Sequence, residues 1–141
     1  MIWTKDNWPQ GRWPNFSFAE LACTHSGLNE MRIDTMDRLQ KVRTRYGAAV
    51  HLTSGYRDIT HPREAVKRDA EGNTRGGPHS TGRAIDVAVR GVEAVHLLTL
   101  ALEVGFTGIG VDQRGDGRFL HLDDLQPEDD FHVPRPWIWS Y

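Results

Sequence analysis

Residues 83–89 read Arg-Ala-Ile-Asp-Val-Ala-Val, a run of small and branched apolar side chains with a carboxylate at its centre. Branched residues favour the pleated surface of a sheet, so the run predicts a strand. A buried carboxylate is too costly to leave alone, and Asp86 therefore needs a cation or hydrogen-bond donors beside it. Whatever fold the chain adopts must bring such a partner over this strand.

Two other places in the sequence can supply it. His79 lies in the Gly/Ser/Thr-rich stretch 76–83, just ahead of the strand. Residues 118–123, Arg-Phe-Leu-His-Leu-Asp, alternate in polarity, and positions two apart on a strand point the same way, so His121 and Asp123 are presented together. Two imidazoles and a carboxylate from separate elements make the three-ligand set that catalytic zinc uses, with a fourth position left for water. A hydrogen-bonded His–Asp pair without metal accounts for the same residues, and spacing alone leaves both open.

The rest of the chain predicts one α+β domain over residues 1–141, a small mostly antiparallel sheet with flanking helices. Residues 1–14, rich in Trp and Pro, read as an irregular arm. Ser17 and Glu20 match a capping box opening a short helix to about Ala22, and a longer helix is expected from about Asn29 to Tyr46, stopped by Gly47. Residues 49–54 and 107–112 read as strands, and one helical turn fits near Glu64 to Lys67. The stretch 91–105 reads as a helix apolar almost all round, hence buried, with His96 as a core histidine. Trp137, Trp139 and Tyr141 alternate on one strand face; closing the core is the preferred reading, a platform for sugar or peptide the other.

A net charge of −2 gives no reason to expect nucleic acid or an anionic membrane as partner. No apolar stretch approaches the roughly 18 residues of a membrane span, and the start of the sequence lacks the pattern of a secretory signal. Synthesis in the cytoplasm as a monomer is the expectation. The lone Cys23 is read as buried filler, and its pairing with His25 as a second metal site is the weaker alternative. His51, His61 and His132 stay without a role.

The joint order of Thr-Ser-Gly-Tyr-Arg-Asp (53–58), His79 to Val89, Gly-Phe-Thr-Gly-Ile-Gly-Val (105–111) and Arg-Phe-Leu-His-Leu-Asp-Asp-Leu (118–125) resembles the zinc D-Ala-D-Ala carboxypeptidase family, of the hedgehog-like fold group. The resemblance runs over about residues 15–141, and the compact size is similar to peptidase domains of phages and prophages. It implies that His79, Asp86 and His121 bind one zinc ion, that Arg57 binds a substrate carboxylate or stabilises an oxyanion, and that the substrate is the stem peptide of peptidoglycan. A surface salt bridge to Asp58 or Asp86 is the plainer reading of Arg57. Many relatives carry an acid three positions before the last zinc histidine, where this chain has Arg118. Asp123 is taken as the general base instead, with Asp116 as second choice and an orienting role for Asp123 as the alternative. Ser54 and Tyr56 are candidate hydroxyl donors, and Gly82 a candidate for close backbone approach at the metal. The expected activity is an endolysin's cleavage between L-Ala and D-Glu, reaching the wall after release from the cell. D-Ala-D-Ala carboxypeptidase activity and a non-catalytic zinc-stabilised wall-binding module are the rivals.

Overall fold

The computed structural model describes residues 1–128 and 133–141. His132 and the end of the acidic stretch 123–130 lie outside the described residues. Five strands form one mixed sheet in the order β1-β2-β4-β3-β5, where β1 is His51–Ser54, β2 Ala84–Ala88, β3 Gly108–Asp112, β4 Phe119–Asp123 and β5 Trp137–Ser140. The first three pairings are antiparallel and β5 joins β3 in parallel. The α+β class and the mostly antiparallel sheet are thus as expected, and the strand predicted from residues 83–89 is β2.

Alternation divides the sheet into two unlike faces. Ile85, Val87, Ile109, Leu120 and Leu122 point into the core, which α2 (Ile33–Tyr46) and α4 (Val92–Val104) help to build. Asp86, His121, Asp123, Gly108, Gly110 and Trp139 occupy the alternate positions and so share the opposite face. α1 (Phe18–Leu21) begins at the expected box: Ser17 Oγ accepts from Glu20 N–H, and the Glu20 carboxylate accepts from Ser17 N–H.

Several expectations fail for identifiable reasons. α2 starts at Ile33 rather than Asn29, because Asn29 turns its side chain onto Met31 N–H and Arg32 N–H bonds the Gly82 carbonyl, so residues 29–32 run extended. The Trp-rich start is irregular in backbone but forms part of the core. Trp3, Trp8 and Trp13 are buried, with ring centroids 4.9–5.8 Å apart. Each indole N–H has an acceptor: Met31 O, Phe16 O and Asp37 Oδ1 respectively. Such aromatic pairs contribute about 1 kcal/mol each beyond simple burial.

α4 is not buried all round. Ala94, Leu97 and Ala101 face the core, whereas Val92, Val95 and Leu102 are exposed, since the helix covers the sheet with one side only. His96 is correspondingly exposed, its ring 5.3 Å from that of Tyr46. Nor do the C-terminal aromatics close the core. Trp137 and Tyr141 are more than half exposed, because β5 is an edge strand that presents them on the face opposite the core.

Candidate metal centre

The register of the sheet builds the centre. Asp86 on β2 lies directly opposite His121 on β4, and His121 in turn lies opposite Gly110 on β3. His79 arrives from a 3₁₀ turn, Pro78–Thr81, immediately before β2. The turn ends at Gly82 in the left-handed region, φ 77°, where any Cβ would sit 2.1 Å from the Glu30 carbonyl oxygen. Gly82 thus permits a close backbone approach, but to the loop before α2 and not to the metal-ligand cluster.

His79, Asp86 and His121 are buried, and one candidate ligand atom of each lies within 4.8 Å of the other two. His79 Nε2 is 3.2 Å, and His121 Nδ1 3.3 Å, from the same oxygen of Asp86, Oδ1. The outer nitrogens fix the tautomers. His79 Nδ1 is 2.8 Å from the Gly55 carbonyl, which can only accept, so Nδ1 carries the proton. His121 Nε2 is 2.8 Å from Asp123 Oδ2 and donates there. Both inner nitrogens therefore turn lone pairs toward a carboxylate oxygen. With both rings neutral, three acceptors converge with no proton between them, an arrangement that a cation satisfies, and N/O donors with each imidazole braced from behind fit zinc.

Titration follows the same geometry. Burial holds the His79 imidazole below its usual pKa despite Asp86. Burial also acts against a charged His121, but the carboxylates of Asp123 and Asp86 outweigh it and raise the ring. Asp86 is desolvated, yet the neighbouring His121 and His79 rings hold it far below the ordinary carboxylate range.

Arg57 is not at the surface. Its guanidinium donates to Asp86 Oδ2 at 3.1 Å and to Glu64 Oε1 at 3.3 Å, leaving Asp86 Oδ1 for the centre. Asp58 takes no part in this. Glu64, on α3 (Pro62–Ala65), is fully buried and also accepts from Gly77 N–H at 2.6 Å and from Lys67 Nζ. It was missed in the sequence because a lone Glu in a polar connection carries no periodic signal. Ser54 lines the cleft beside Arg57, but Tyr56 is a buried residue and its hydroxyl donates to Glu30 Oε2 at 2.7 Å. Ser80 Oγ donates to Glu64 and shapes the loop around His79.

Asp123 lies behind the His121 ring rather than over the inner nitrogens. The Arg135 fork grips it, Nε to Oδ1 at 2.8 Å and Nη2 to Oδ2 at 2.7 Å, and its side chain is fully buried. Burial alone would raise its pKa, but His121 and Arg135 together hold it low. Gly108 makes the room: a Cβ there would fall 2.3 Å from Asp123 Oδ1 and 2.5 Å from Arg135 Nε. Neither Arg135 nor Gly108 had a sequence signal, since their roles depend on β5 pairing with β3.

Asp116, on the turn between β3 and β4, lines a cavity of about 400 Å³ together with Asp86, Arg57, Arg63 and Arg118. A second cavity, of about 390 Å³, shares Arg57 and Arg63 and extends to α1, where His61 joins its wall. Cys23 is a buried free thiol, and among the described residues Cys23 and His25 join no cluster of three metal ligands.

Residues 14–123 match the sequence model of the family described as Peptidase M15. No curated protein and no solved structure matches the chain. The matched segment covers most of the chain and holds all three converging ligands, so the chain belongs to the Peptidase M15 family, whose members are zinc-dependent peptidases.

Proposed function

We propose that this protein is an endolysin-type peptidase that hydrolyses the L-Ala–D-Glu bond of peptidoglycan stem peptides. One observation carries the peptidase reading: a single carboxylate oxygen, Asp86 Oδ1, faces two imidazole nitrogens whose tautomers leave both unprotonated. His79, Asp86 and His121 would hold the zinc ion, which when bound lowers the pKa of a water to about 7 and polarises a carbonyl.

The surrounding residues divide the remaining work. Asp123, clamped by Arg135 behind His121, orients that ring and sustains its basicity, the reading weighed against a base role. Asp116 then serves as the general base, since it is the carboxylate on the cavity wall beside Asp86 whose side chain faces solvent. It takes a proton from the attacking water and returns it to the departing amine. Arg57 holds Asp86 in place and offers positive charge to the substrate at the junction of the two cavities.

The choice of an internal bond rests on those cavities. Space continues on both sides of Arg57, which suits a chain running through rather than a terminus held in a closed end. Arg57, Arg63 and Arg118 suit the carboxylates of a stem peptide. Action on the wall after release from the cell follows from that substrate.

The test is to incubate the purified protein with muropeptides, with and without a chelator, and to weigh the products. Chelator-sensitive release of L-Ala-linked fragments is expected. Loss of a terminal D-Ala alone would make it a carboxypeptidase, and no cleavage would overturn the enzymatic reading.

A further inference from the structure

On the β3–β5 side of the centre, a phenol reaches the same row of the sheet. Gly110 is the cross-strand partner of His121, and a Cβ at Gly110 would lie 2.8 Å from Trp139 Nε1 and 2.9 Å from the Tyr141 hydroxyl. Both polar atoms therefore gather over the backbone beside the second histidine. Trp139 stands against that histidine, ring centroids 5.1 Å apart, and the Tyr141 ring is propped by Phe119 at 5.1 Å and by Trp139 at 6.5 Å. Tyr141 is also more than half exposed, so an arriving peptide can touch it. A glycine at position 110 is what allows this approach.

We propose that the Tyr141 hydroxyl donates a hydrogen bond to the oxyanion that develops on the scissile carbonyl, from the side of the centre opposite Arg57. This inference rests on the peptidase reading above. As the water oxygen bonds to the carbonyl carbon, the C=O π pair moves onto oxygen, where the phenol O–H meets it. Collapse restores the C=O, breaks the C–N bond, and sends the proton taken from water to the amine, so that Tyr141 ends as it began. Burial raises the phenol pKa and keeps the hydroxyl protonated as a donor. Arg57 is already committed to Asp86 and Glu64, which leaves the oxyanion in need of a second donor.

Tyr141→Phe removes the hydroxyl and keeps the ring. The loss expected is about 10²- to 10³-fold in kcat, with KM and zinc content unchanged. A second measurement is the calorimetric affinity of a zinc-loaded protein for a phosphinate isostere of the dipeptide, whose charged oxygens mimic the oxyanion. Wild type should bind it at least tenfold more tightly than Tyr141→Phe. A difference below tenfold, or a defect confined to KM, overturns the proposal. Should the wild type cleave no muropeptide, the peptidase reading fails on its own, and the phosphinate comparison still decides for or against Tyr141; binding by neither protein counts against it.

Discussion

His79 and His121 face the same oxygen of Asp86, but they are braced differently. His79 donates from Nδ1 to the carbonyl of Gly55, a neutral backbone group, while His121 donates from Nε2 to the carboxylate of Asp123, itself clamped by Arg135. The first ring is set by a loop, the second by the sheet and by a chain of charges reaching Arg135, just ahead of β5. A neutral acceptor fixes a ring's direction; an ionised one also raises its basicity, which is why burial lowers the pKa of His79 while that of His121 rises. The two halves of the centre therefore differ in what a substitution can undo.

The largest effect is expected where the halves meet. Asp86→Ala removes the one oxygen both rings address, and zinc should be lost on dialysis, as read by metal content. Retention of stoichiometric zinc would show that the two histidines find a different third ligand.

The next substitution separates the halves. Asp123→Asn keeps the shape and an acceptor for His121 but removes the charge, and the expected result is a zinc affinity lowered about 10- to 100-fold. At saturating zinc, kcat should stay within about tenfold of wild type if Asp116 is the base, as proposed. A collapse of kcat with zinc affinity intact would restore Asp123 as the base and displace Asp116. No side-chain replacement acts equivalently on His79, whose brace is backbone.

On the His79 side the burden falls on Glu64, which joins Arg57, Lys67 and the Gly77 amide. Glu64→Gln should cost about 1–3 kcal/mol in denaturant unfolding, the range for leaving charged partners short of a hydrogen bond. Burial alone would raise the Glu64 pKa, but its hydrogen bonds and neighbouring cations hold it below the ordinary value of 4.5. A depressed carboxyl contributes its stability above the unfolded pKa and loses it as pH falls toward the folded one. The wild type should therefore shed stability on acidification from about pH 5, and Glu64→Gln should shed less.

The same contrast explains what the sequence made legible. Asp86, His121 and the strands that carry them could be read because alternation marks both the face and the odd charge on it. β2 and β4 then need only pair to bring the two ligands together. His79 was readable through its place in a polar turn and through the resemblance. Arg135, Gly108, Gly110 and Glu64 were not, because each works across a pairing or a turn that no local pattern encodes. Asp123 shows the limit most clearly: alternation puts it on the His121 face, but only Arg135 reveals which way the carboxylate is held, against the outer nitrogen of the ring. The core was misread where pattern outran context, since α4 has apolar side chains on a side that none of the described residues covers.

The smallest predicted effect tests the β5 side of this contrast. Gly110→Ala adds one methyl where Trp139 and the Tyr141 hydroxyl lie within 2.9 Å of it. Position 110 lies in a strand, so the backbone accepts alanine and the cost is overlap alone. Trp139 is only partly buried and can swing outward, which places the loss at the low end of overpacking, about 1 kcal/mol, or a few degrees in Tm. The swing must also draw the indole off His121, while the imidazole stays held by Asp123. Zinc affinity should consequently change less than threefold, with indole fluorescence shifting as Trp139 gains solvent. A loss of zinc as large as that of Asp123→Asn would mean that His121 is held by the packing of β5 rather than by its carboxylate.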